Sequence, residues 1–333
     1  MGKTTVSVAA SIYGALQGKK VAAITIDPSK RLASALGLKE RSQSLQKLSS
    51  PNFSQDMDVL FLDTEVAFQE FVRENLSDGY FEGISSSKIY QQISKNLRET
   101  HNFAALYQLD KVLRRGDYDL VVLDTPPCHQ VIDFFQAPIQ LQKFFTRKDK
   151  TSSSKLVSWF QEKGLSLAET VLKNIAGEEF IREVDYFFSN IGELRQSIVD
   201  VSQNVLTKMN SDESQFVLIC SPSADKLAEA QYLQSEITKR HYSVGWCVMN
   251  RAYPLGLDLS GEAPHIEDPE ERALYNYFKE RKADSQKSMG SLKTDSLFRG
   301  TRFAMLPEMD IQMDGLEALV GFSKNLKDHW SEV

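Results

Sequence analysis

An α/β fold with a doubly wound, mainly parallel sheet is predicted by short apolar runs of strand length that alternate with helical stretches. The runs cover residues 20–26, 58–62, 118–123, 215–220, 243–249 and 302–306, and most are rich in Val, Ile or Leu. Such near-continuous apolar content is what strands buried on both faces require. Ligands of these sheets sit beyond the carboxyl ends of the strands, so the residues that follow each run are the candidates for chemistry.

Taken in chain order, residues 6–17 read as a helix after the opening Met1-Gly2-Lys3-Thr4-Thr5, and another helix begins near Arg31. Two tracts, residues 65–115 and 131–213, are too long for simple crossovers and predict an inserted helical subdomain. The second carries Phe134, Phe135, Phe144, Phe145, Trp159, Phe160, Phe187 and Phe188 around a Ser-rich hinge at residues 151–154. Packing between helices is the favoured role of these aromatics, over an exposed client groove. Residues 256–300 form a charged surface segment, read as a solvated helix and loop. The core is then residues 1–63, 116–130, 214–255 and 301–333 of a single domain spanning 1–333.

Composition narrows the partners. An apolar content of 41% in 333 residues is enough for a substantial core. A formal net charge of -6, with no basic stripe among aromatics, gives no reason to expect nucleic acid. No apolar run reaches membrane-spanning length and no secretion signal is readable, so the expected location is cytoplasmic, without an integral membrane segment. Cys128, Cys220 and Cys247 are widely spaced and lack a CxxC pattern, as reduced thiols would be.

Gly2-Lys3-Thr4-Thr5 matches the second half of a phosphate-binding loop, Gly-x-x-x-x-Gly-Lys-Ser/Thr, which opens a helix and wraps phosphates in backbone N–H groups. In that role Lys3 reaches the β- and γ-phosphates, Thr4 ligates Mg²⁺, and the amides of Gly2 to Thr5 face the phosphates. Asp27, at the end of a strand and just before Pro28, can polarise an attacking water; its alternative role is the N-cap of the next helix. The run Tyr118 to Asp124 delivers Asp124 to a strand end, where it can hold a Mg²⁺-bound water, and Thr125-Pro126-Pro127 forms a stiff turn able to sense the γ-phosphate. A structural Asp-turn is the alternative there. Asn250 can pair its amide with an adenine edge, with Leu306 and Pro307 against the ring, although both pairs also suit ordinary turns.

These residues, with Thr25 to Leu32, Leu62-Asp63-Thr64, Asp133 to Pro138 and Val248 to Arg251, resemble the arsenical pump-driving ATPase family. That family includes the ATPase that targets tail-anchored membrane proteins. The resemblance implies a P-loop NTPase fold and binding of ATP and Mg²⁺. It places Lys3 and Thr4 at the phosphates and the metal, Asp27 in switch I as catalytic carboxylate, Asp124 in switch II, and Asn250 at adenine. The family loop reads G-K-G-G-V-G-K-T-T, and its first lysine crosses a dimer interface; we expect a longer protein in which Met1 stands for a GTG valine codon read as a start. Gln130 stands where the metalloid pumps have a His, which disfavours arsenite transport, and the CxxC of the eukaryotic targeting members is absent after Asn250.

The leading expectation is a Mg²⁺-dependent ATPase that switches between open and closed forms. One set of motifs per chain implies a homodimer, acting on an unidentified protein or membrane-protein client. Two alternatives stand beside it. One is a non-catalytic interaction protein, since half of the phosphate cradle is not in the sequence; the other is a partition or positioning ATPase. In the latter the stripe Leu316, Leu319, Val320, Leu326 and Trp330 would be a membrane-surface helix, against which a core-packed helix is preferred.

Overall fold

The computed structural model describes residues 2–26, 30–39, 42, 44–87, 90–91, 94, 98–126, 128–146, 194–252, 266–308 and 315–330. Among them the strands fall into two sheets. The four-stranded sheet has the order β2-β3-β1-β4, from β1 (Val21–Thr25), β2 (Gln46–Leu48), β3 (Met57–Phe61) and β4 (Leu120–Asp124). Here β1 is central, parallel to both β3 and β4, and all five of its residues are buried; β2 is antiparallel to β3. The three-stranded sheet, β5 (Phe216–Cys220), β6 (Val244–Met249) and β7 (Arg302–Met305), is parallel throughout.

One continuous sheet was the expectation, and the division arises at β4 and β5, each hydrogen-bonded on one side only among the described residues. These free edges leave apolar side chains in solvent, with Leu120 37% and Val217 42% exposed. The extra strand β2 escaped the sequence reading because Gln46-Lys47-Leu48 has one buried residue and no apolar run.

Helix α1 (Lys3–Leu16) joins the two sheets. Gly14 lets it approach closely, since a β-carbon there would lie 3.0 Å from both Leu120 Cδ2 and Val21 Cγ2 on the first sheet. Val6 and Ala9 pack on the second sheet, with Val248, Ala304 and Leu306. Ile12 is fully buried, and cutting it to Ala would cost about 2–5 kcal/mol. The C-terminal α10 (Leu316–Trp330) lies alongside α1, with Leu319, Val320, Phe322 and Leu326 buried. Leu319, Val320 and Leu326 of the stripe are thus in the core, while the side chain of Trp330 lies outside what the structure describes. Among the described residues no helix is long and apolar enough to cross a membrane.

The opposite face is covered by α3 (Thr64–Asn75), α5 (Arg98–Arg115), α6 (Cys128–Thr146), α7 (Leu194–Met209) and α8 (Ala224–Lys239), with the short α2 (Lys30–Ala35) and α4 (Asp78–Ser85) nearer the edges. Phe68, Phe71, Phe103 and Phe134 are buried in one apolar cluster that also holds Ala22 and Ile24 of β1 and Leu218 and Cys220 of β5. Lys111 of α5 bridges Glu70 at 2.7 Å and Glu74 at 2.8 Å on α3, fixing the register of the two helices. Phe134 and Phe135 pack as expected; the hinge at 151–154, Trp159, Phe160, Phe187 and Phe188 lie outside the described residues. The charged segment contributes α9 (Pro269–Thr294), capped by Asp268, whose side chain accepts from Glu270 N.

Candidate active site

The candidate site forms where the start of α1 meets the carboxyl ends of β4 and β6. Gly2 is the N-cap of α1 and adopts a left-handed conformation, φ 75°, which costs a residue with a side chain more than glycine. A β-carbon there would lie 2.4 Å from Asn250 Nδ2, so the Asn250 amide would have to swing aside. The N–H groups of the first helical turn have no intrahelical acceptor and stand at the positive end of the helix dipole. They begin at Lys3 and run through Thr4 and Thr5, which are half-buried.

Lys3 reaches across to β4. Its Nζ donates to Asp124 Oδ1 at 2.6 Å and to the Thr125 carbonyl. Asp124 is 2% exposed, and its Oδ2 is buried with no hydrogen-bond partner among the described residues. A buried carboxylate oxygen without a donor is costly in an apolar setting, and its natural complement is a cation or a bound water. Ile26 N donates to Asp124 O at 3.3 Å, so the chain leaves β1 beside Asp124. Asp27 itself lies outside the described residues, together with Pro28 and Ser29; helix α2 follows from Lys30.

Asn250 follows β6 and is 5% exposed. Its N–H donates to Cys220 O at 3.0 Å; Leu306 N donates to Met249 O at 2.8 Å, and Ala252 N to Leu306 O at 2.9 Å. These bonds set Leu306 and Pro307, both buried, beside the Asn250 turn. The structure therefore brings Gly2, Lys3, Asp124 and Asn250 together, with Leu306 and Pro307 adjoining. The amide donors, the Lys3 ammonium, the Thr4 hydroxyl and the orphaned Asp124 oxygen fit the phosphate end of a nucleotide with a hard divalent cation.

Two neighbourhoods were not foreseen. Thr64 Oγ1, at the start of α3, lies 2.6 Å from His101 Nδ1, and Asp63 caps α3 through Val66 N at 3.2 Å. Both follow β3, whose exit pairs with β1 through Leu62 N and Thr25 O. The sequence marked Asp63-Thr64 but offered nothing for His101, a lone histidine inside a helix. Arg281 and Ser285 of α9 are the second case; both meet the end of β6, and their helix reads as an ordinary charged surface helix. Cys220 and Cys247 are buried free thiols on adjacent strands; the hydrogen bond to Cys220, and then burial, push the Cys247 thiol far above its usual range.

The chain is similar to known ATPases over most of its length. A family model described as anion-transporting ATPase matches residues 1–328. An ATPase GET3 of Paracoccidioides lutzii is 23% identical over 264 residues, covering 79% of this chain and 73% of that protein. One of Komagataella phaffii is 23% identical over 346 aligned positions, covering 98% and 86%, and one of Aspergillus niger is 22% identical over 253, covering 75% and 70%. With a P-loop NTPase fold and a match over nearly its whole length, the chain belongs to the anion-transporting ATPase family.

Proposed function

We propose that this chain hydrolyses ATP with Mg²⁺ and uses the cycle to switch a homodimer between open and closed forms, in the cytoplasm, on a protein or membrane-protein client. The observation that carries the reading is the contact of Lys3, at the first turn of α1, with Asp124 and the Thr125 carbonyl at the end of β4. It supports a phosphate site built against a switch turn.

The residues divide the work as follows. Amides of Gly2 to Thr5 donate to phosphate oxygens, and Lys3 transfers its ammonium from Asp124 and Thr125 to the phosphates. That transfer releases the Thr125 carbonyl from Lys3, so the turn after Asp124 is then held by the γ-phosphate and Mg²⁺ and is released when hydrolysis removes those contacts. The Thr4 hydroxyl and, through water, Asp124 would hold Mg²⁺, which would supply positive charge against the developing charge of the transferred phosphoryl group. Asp27 accepts the proton of the attacking water. Asn250 reads the base edge while Leu306 and Pro307 line its face. The curated relatives are named as ATPases, which supports turnover and leaves the client open.

Equilibrium binding of a fluorescent ATP analogue tests the first part of the proposal. Wild type binds, Lys3→Ala weakens binding at least about tenfold through loss of a charge-assisted contact, and both effects depend on Mg²⁺. No binding by the wild-type chain would overturn the reading. Sedimentation with and without ATP tests the homodimer; a species that stays monomeric while turning over ATP would refute it.

A further inference from the structure

We propose that α9 acts as a specificity brace for the base: Arg281 and Ser285, one turn apart, hold the 250–252 turn and the 306–308 segment so that the Asn250 amide is presented to an adenine edge. The inference rests on the nucleotide reading above and adds two positioning residues to it.

Arg251, immediately after Asn250, has φ 57°, in the left-handed region that side-chain-bearing residues rarely enter. Such a conformation persists only where its surroundings over-determine it, and ligand clamps are where it collects. Here the determinants are countable. Arg281 Nη2 donates to the Arg251 carbonyl at 3.3 Å and pairs with Glu308 Oε2 at 2.6 Å, tying the two loop segments through one guanidinium. Ser285 Oγ, fully buried with its residue, lies 2.5 Å from the Ala252 carbonyl and 2.9 Å from that of Arg281, between which its proton is shared. Ala252 N completes the set by donating to Leu306 O. The turn is thus fixed on both sides of its strained residue.

The helix also has apolar anchors, the buried Tyr275, Met289 and Leu292, the last two in the same cluster as Ala252. What Arg281 and Ser285 add is a fixed direction for Asn250, whose amide also lies against Gly2 at the phosphate end. An amide matches adenine through one donor and one acceptor and mismatches guanine, so discrimination between the bases depends on its orientation. A freely turning Asn250 would offer hydrogen bonds to either base.

The test is the dissociation constant of the full chain for ribose-labelled fluorescent ATP and GTP, which leave the base unmodified. Arg281→Ala weakens ATP binding about tenfold, the size of one lost hydrogen bond between neutral groups, and does not weaken GTP binding, so the ATP-to-GTP ratio falls about tenfold or more. Ser285→Ala, the loss of one hydroxyl from a fully buried residue, lowers the ratio in the same direction and keeps the question open to measurement should Arg281→Ala not fold. Arg281→Lys, which keeps a charge for Glu308, falls between wild type and Ala. Equal weakening of both nucleotides, or an unchanged ratio in both Ala variants, overturns the brace while leaving ATP binding intact. Absence of ATP binding by the wild-type chain overturns the nucleotide reading, and the brace with it.

Discussion

Replacing Lys3 by Met removes the ammonium 2.6 Å from Asp124 Oδ1 while keeping most of the side-chain volume. Two unit charges at about 4 Å and an effective dielectric of about 20 attract by about 4 kcal/mol. Asp124 is 2% exposed but Lys3 is 28% exposed, so water screens part of this. The expected loss of stability is about 2–3 kcal/mol, between the ranges for exposed and fully buried pairs. Most of it comes from leaving a carboxylate buried with neither oxygen compensated. The double variant Lys3→Met/Asp124→Asn should therefore be more stable than Lys3→Met alone, with a coupling of about 1.5 kcal/mol or more in a double-mutant cycle. Urea unfolding of the wild type, the two single variants and the double reads this directly. A Lys3→Met variant within about 0.5 kcal/mol of wild type would refute the pairing, because that is the range of an ordinary surface substitution.

Gly2→Ala places a side chain in left-handed backbone at a cost of about 1–2 kcal/mol and against Asn250, so ATP affinity should fall with stability; Asn250→Ala in the same chain should relieve the collision but not the backbone cost, as calorimetry would show. Phe322→Ala empties a buried site between α10 and α1 and should cost about 3–5 kcal/mol in unfolding free energy; a change below about 1 kcal/mol would mean that α10 is not docked. The Cys247 thiol stays protonated in the folded chain to well above its ordinary pKa, so the unfolded chain loses that proton first. Stability is then fully present below pH about 8.5 and declines as pH rises further. Cys247→Val should flatten that alkaline decline in pH-dependent unfolding, and an unchanged slope would contradict it.

The strands other than β2 could be read because each is a nearly unbroken apolar run; β1, with every residue buried, is the plainest case. Lys3 and Asp124 could be assigned to one nucleotide site in advance, though not to contact with each other, because the phosphate loop and the strand-end carboxylate each carry a local motif. Three things were not legible, all non-local. The separation into two sheets depends on which edge hydrogen bonds to which, and β4 and β5 look no different in sequence from β1. The contact of Gly2 with Asn250 joins residues far apart in the chain, and neither position signals contact with the other. Arg281 and Ser285 sit in a helix whose charges suggest solvent, and their spacing shows only that they share a face, not that the face meets the end of β6.

The central claim is that the Lys3–Asp124 corner serves ATP hydrolysis. Phosphate release from ATP by the full chain, compared with its Asp27→Asn variant, tests it most directly. The account predicts Mg²⁺-dependent release by the wild type, and a variant that binds ATP with unchanged affinity but releases no phosphate. Equal release by the two would remove Asp27 from the mechanism, and no release by the wild type would contradict the claim itself.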